Sequence, residues 1–140
     1  MNCQRHVPNS NDALYISPDK KWFFIEFKNG SIDRADVYRK IYDSIIMLIE
    51  LGAIPDFEYS RKNINYILVY NSEKYGKNAQ TQGLEENYSY FWRLAQAEEK
   101  LFKIDHFEEY LLKETHTYTI PLFEKKFVEP MEAQERLAAI

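Results

Sequence analysis

The chain has 140 residues, 45% of them hydrophobic and 16% aromatic, which suits one domain with a real core and excludes intrinsic disorder. The net charge is -4, and the deficit sits in residues 96–140, where 10 acidic side chains face 6 basic ones. Such a balance excludes a polycation that coats nucleic acid by charge alone. The single cysteine, Cys3, cannot form an internal disulfide and suits a reducing compartment. The longest apolar run, Ile45-Ile46-Met47-Leu48-Ile49, is too short for a bilayer, and no secretory pattern opens the chain. These features predict a cytoplasmic protein.

Residues 1–11 read as a flexible polar N-terminus. Ala13 to Ser17 and Trp22 to Lys28 read as strands joined by Pro18-Asp19-Lys20-Lys21, a turn in which proline presets φ. Asn29-Gly30 closes the second strand. A helix is predicted from Asp33 to Leu51, with Asp33 as N-cap and Asp36 completing a variant capping box. Val37, Ile41, Ile45, Leu48 and Ile49 recur at helical spacing, and Gly52 ends the run. Ile64 to Tyr70, apolar on both faces except at Asn65, suits a parallel strand covered on both sides. Strand, helix and strand make a right-handed βαβ unit.

A polar loop is expected over 71–87, a helix over 85–100, a short strand over 101–104 and a helix over 105–112. Thr117 to Phe123 is β-prone and Glu129 to Ala139 helix-prone. The expected architecture is one α/β domain over 1–140 with a mixed β-sheet: an antiparallel hairpin, then a parallel βαβ unit, flanked by helices. The motif-bearing core is 11–70, and 115–140 is a C-terminal extension.

One pattern carries chemistry. With Asp19 as the centre of the turn, residues whose numbers sum to about 38 face each other, which sets Asp12 opposite Glu26. Opposed residues share a sheet face, and Lys28 joins them because strand side chains alternate. A one-residue slip would break the group. Two adjacent carboxylates repel unless a cation lies between them, and oxygen ligands suit Mg²⁺ or Mn²⁺. The Phe27 carbonyl offers one more oxygen. A lysine beside them can orient a water and neutralise charge on a phosphate.

Asn11-Asp12, a strand and turn, then Glu26-Phe27-Lys28 before a long helix and an apolar strand resembles the PD-(D/E)xK nuclease superfamily, which includes restriction endonucleases and Holliday-junction resolvases. The resemblance covers about residues 11–70. It implies a mixed sheet in which three antiparallel strands precede a helix and a parallel fourth strand. It also implies Asp12 and Glu26 as metal ligands and Lys28 as the catalytic lysine. The helix bearing Arg39, Lys40 and Asp43 would supply a further polar group, and Lys40 is the candidate. The function it implies is metal-dependent hydrolysis of nucleic acid, DNA ahead of RNA. That family places a helix and a strand before the first aspartate, and eleven polar residues supply neither. Ala13 to Ser17 is therefore expected at a sheet edge, where a second copy would pair as a homodimer.

Blander roles stand beside these. Glu26, Lys28 and Asp12 also fit a cross-strand ion pair, and Lys40 and Asp43 a surface pair. Tyr38 and Tyr42 read as packing groups and Arg34 as a surface charge; Arg61, Lys62, Lys74 and Lys77 could guide a phosphate backbone. His6, His106 and His116 share no zinc-ligand spacing. A non-catalytic module of the same fold, acting in protein–protein assembly, is the alternative reading, with a partner-binding accessory protein of a mobile element behind it.

Overall fold

The computed structural model describes residues 11–30, 32–71 and 103–139. Its centre is a four-stranded mixed sheet in the order β1-β2-β3-β4, comprising β1 (Ala13–Ile16), β2 (Trp22–Lys28), β3 (Ile64–Tyr70) and β4 (Glu114–Thr119). β1 and β2 are antiparallel, and β3 and β4 run parallel to β2. The hairpin register is the expected one, with Ala13 opposite Ile25 and Leu14 opposite Phe24. The turn sets it. Lys20 N–H donates to the Ser17 carbonyl at 2.8 Å, Ser17 N–H donates to the Lys21 carbonyl at 2.9 Å, and Lys20 takes φ 63.

Helix α1 (Arg34–Glu50) crosses from β2 towards β3, capped by the Asp33 carboxylate, which accepts from Ala35 N–H at 3.0 Å. It ends where Gly52 takes φ 76 and Ala53 N–H reaches back to the Leu48 carbonyl, a left-handed exit that glycine allows without strain. Its Val37, Ile41, Ile45 and Leu48 pack on Phe24, Ile64, Tyr66 and Leu68 of one sheet face. Phe107, Leu111 and Leu112 close the same core. On the other face, Phe23, Ile25, Ile67, Val69 and Tyr118 meet Leu122, Phe123 and Phe127 of the C-terminal helical segment. The sheet is thus covered on both sides, which is why β3 is buried at every position.

Several expectations are corrected. A short helix α2 (Phe57–Asn63), capped by Asp56, precedes β3 without a break. The helix expected over 105–112 is a 3-10 turn (Ile104–Phe107). Glu109 at φ 61 ends any helical path there, and the Phe107 carbonyl gathers the N–H groups of Tyr110, Leu111 and Leu112. No strand forms at residues 103–104, and the rest of that segment, with the helix expected over 85–100 and most of the loop over 71–87, lies outside the described residues.

The β-prone tail is shifted. β4 begins at Glu114 and stops at Thr119, whose hydroxyl caps α3 (Ile120–Phe123) at Leu122 N–H. Pro121 at the start of α3 has no N–H to continue a ladder and fits a first helical turn. α3 then passes through a π-helical turn (Glu124–Val128) into α4 (Glu129–Ala138). Pro130 accounts for the widened turn, because its ring clashes with the carbonyl four residues back and its nitrogen cannot bond it. Among the described residues no helix is long and apolar enough to cross a membrane.

Candidate active site

The ladder between β1 and β2 ends in a side chain. Ser17 and Lys21 are a hydrogen-bonded pair, so the alternation makes Ala13 and Tyr15 bonded to β2 and turns Leu14 and Ile16 outward. Asn11 would be the next bonded residue, but its N–H leaves the sheet and donates to Ser44 Oγ of α1 at 2.9 Å. Phe27 N–H, left without that partner, donates instead to Asp12 Oδ2 at 2.8 Å. One more step of the register sets Asp12 opposite Glu26 on the α1 side of the sheet. The Phe27 carbonyl faces the same side as its N–H, as in any extended residue.

Glu26 is 1% exposed although its strand neighbours on both sides are apolar. Its Oε1 accepts from Lys40 Nζ at 3.1 Å, while Oε2 is buried with no hydrogen-bond partner among the described residues. Burial, reinforced by the neighbouring Asp12 carboxyl, pushes Glu26 up to about 7 despite the opposing pull of Lys40. Burial draws Lys40 down, but the hydrogen bond and charge of Glu26, with Asp36 and Asp12 behind it, raise it overall. Lys28 lies on the Glu26 face and donates to Asp36 Oδ2 at 2.9 Å. Asp36 also lies 3.9 Å from Lys40 and 3.4 Å from Arg39, and its bond to Lys28 holds it below the usual carboxylate range.

The site is therefore a run of alternating charge, Lys28, Asp36, Lys40 and Glu26, ending at Asp12. All four sequence candidates stand within it. Lys40 is tied to Glu26 and Asp36, rather than set in a surface pair with Asp43, and Phe27 adds its backbone. Two members escaped the sequence reading. Asp36 was a capping acid there, yet its side chain turns to Lys28; the i, i+4 spacing to Lys40 was the available signal. Tyr66, 0% exposed, carries a hydroxyl with no partner among the described residues. Burial raises it well above its usual value, and the charges of Glu26, Asp12 and Asp36 add to the shift, which places the ring near these groups.

The chemistry of the donors suits a small hard cation. Glu26 Oε2 is a buried acceptor with no donor, Asp12 stands beside it, and both are oxygen ligands. Among the described residues no three His, Cys, Asp or Glu side chains gather to hold a metal. Mg²⁺ asks for fewer, since it keeps waters and takes one or two carboxylates with substrate phosphate. Comparison with protein-family models, curated proteins and solved structures returned no match.

Proposed function

We propose that the protein is a metal-dependent phosphodiesterase acting on nucleic acid, built on a restriction endonuclease-like sheet. The observation that carries this reading is Glu26: an almost wholly buried carboxyl against the Asp12 carboxyl, with one oxygen paired to a lysine and the other given no nitrogen donor among the described residues. A solvated strand face explains an exposed acid but not a buried one, because a buried charge needs compensation. Asp12, Glu26 and the Phe27 carbonyl would hold Mg²⁺ or Mn²⁺, which when bound polarises a phosphoryl oxygen. Lys28 orients the attacking water and offsets charge gathering on the phosphate. Lys40 opposes the protonation that burial favours at Glu26, and Asp36 positions both lysines.

The test is direct. Calorimetry should show Mn²⁺ binding by the wild type and its loss in Glu26→Gln. Cleavage of DNA should need the added metal and fall by orders of magnitude in Lys28→Ala. Equal metal binding by wild type and Glu26→Gln overturns the assignment.

A second reading, an assembly module without catalysis, is favoured by the sheet edge. β1 has no outer neighbour strand among the described residues, and Leu14 and Ile16 are 43% and 45% exposed. In an antiparallel pair of two copies centred on Tyr15, Leu14 of one would meet Ile16 of the other, so both would be covered at once. Light scattering that finds only monomers over a wide concentration range removes it.

A further inference from the structure

β1, the strand at one side of the sheet, is bordered by apolar surface on both faces. On the α1 side stand the exposed Leu14 and Ile16. On the other side a groove of about 520 Å³ runs between β1 and α4. Among the described residues Tyr15 is the one sheet residue that lines it, with Phe127, Val128 and Met131 as apolar walls, so the groove opens beyond the sheet margin rather than under it. Tyr15 is held there by edge-on contact with Phe127, ring centroids 5.7 Å apart, and by donating its hydroxyl to Glu135 Oε1 at 2.6 Å. Between the two surfaces lies unpaired backbone. Ala13 and Tyr15 use their N–H and C=O groups on β2, and those of Leu14 and Ile16 point away from the sheet.

A segment that bonds to these outward groups must be extended, and its side chains then alternate between the two faces. One set falls beside Leu14 and Ile16 and the other over the groove, so a strand covers both apolar surfaces at once. Charge narrows the occupant. Glu132 has Arg136 at 3.7 Å, whereas Glu135 accepts from a neutral hydroxyl and is paired with no cation among the described residues. A second copy fits less well. Paired through Tyr15 about a two-fold axis, it covers Leu14 and Ile16 but brings to the groove face only Ala13 and a Tyr15 already tied to its own Phe127 and Glu135. It also sets two Glu135 carboxylates on one face of the joined sheet, where like charges oppose the pairing. We infer that β1 takes up a short extended segment of another protein as an added strand, with an apolar side chain in the groove and a lysine or arginine beside it facing Glu135. The inference rests on the assembly reading of the sheet edge, with a basic partner in place of the second copy, and stands whether or not Asp12 and Glu26 bind metal.

The experiment is calorimetry on the full-length protein, in chelator, with a capped seven-residue peptide: leucine at the centre, lysine two places to either side, valine elsewhere. Binding is expected, with exchange of the Leu14 and Ile16 amides slowed and that of Ala13 and Tyr15, already bonded to β2, little changed. Proline in place of the two valines beside the leucine should abolish it, because those residues supply the bonding N–H groups. A peptide with glutamate for lysine should bind more weakly. Glu135→Gln keeps an acceptor for the Tyr15 hydroxyl and should weaken the lysine peptide about two- to fivefold, the range of an exposed ion pair, while narrowing its lead over the glutamate peptide. Ile16→Pro removes an outward N–H that β2 does not use and should abolish binding; should that variant not fold, Glu135→Gln and the proline peptide still decide. No binding of the lysine peptide, equal binding with the prolines, or equal binding of the lysine and glutamate peptides overturns the inference. So do Leu14 and Ile16 amides that are protected before peptide is added. Dimers in light scattering would then keep the assembly reading and remove this partner, and monomers would remove both.

Discussion

Glu26 of β2 and Lys40 of α1 face each other at 3.1 Å across the sheet–helix boundary, one 1% and the other 19% exposed at the side chain. Where the pH is high enough to ionise Glu26, removing the lysine alone leaves a buried carboxylate without its charge partner, a change that costs up to about 3–5 kcal/mol. Lys40→Met should lose stability on that scale in urea denaturation. Lys40→Met with Glu26→Gln should recover most of the loss, because no buried charge remains. A double variant as unstable as Lys40→Met would mean that the loss does not come from the unpaired carboxylate.

The raised Glu26 fixes the sign of a pH effect. Its value moves from 4.5 in the unfolded chain to about 7 in the fold, so between these the folded protein holds the extra proton. This contribution favours the fold most below the unfolded value and is lost as pH rises to the folded one. Its slope is at most roughly 1.4 kcal/mol per unit. Asp36, lowered by Lys28, acts the other way, its stabilisation present above 3.8 and lost as pH falls through its folded value. The difference between wild type and Glu26→Gln isolates the first term. Their metal-free stabilities should diverge across pH 4.5 to 7, the wild type losing ground as pH rises.

Asp36→Asn separates positioning from ligation. Asn cannot hold Lys28 with a charge, while Asp12, Glu26 and Lys40 keep their contacts. Cleavage should fall while Mn²⁺ affinity changes less than it does in Glu26→Gln, and stability should drop by about 1 kcal/mol. A fall in metal affinity as large as that of Glu26→Gln would move Asp36 from positioner to ligand.

Tyr66→Phe removes a buried hydroxyl with no partner among the described residues. An unpaired buried polar atom costs about 1–3 kcal/mol, so the variant should match or exceed the wild type in stability. A clear loss in thermal denaturation would show that the hydroxyl is bonded in solution.

What the sequence made legible depended on how far each signal reaches. The turn at Pro18 to Lys20 is local and fixed the register, which carried Asp12 to Glu26. α1 and β3 were long enough for periodicity and apolar content to find them, within a residue or exactly. α2 failed because seven mostly polar residues show no period; only Asp56 announced it. The helix expected over 105–112 failed for the opposite reason. Phe107, Tyr110 and Leu111 have helical spacing, but a tight turn under a core lid produces the same spacing. Asp36 and Tyr66 were hidden because their roles come from packing α1 on the sheet, which no local rule computes.

α1 also meets the sheet through a polar stripe. Asp36, Lys40 and Ser44, each four residues apart, meet Lys28, Glu26 and the Asn11 N–H. A helix seated only by aliphatic side chains can slide one turn, 5.4 Å, and find new apolar neighbours. Here a slide in one direction brings Lys40 to Lys28, and in the other brings Asp36 to Glu26, so both place like charges in contact. The stripe works as a notched key that fits the sheet at one depth. A chain with no chemistry at Glu26 would still need one acid and one base there, simply to hold the helix in step.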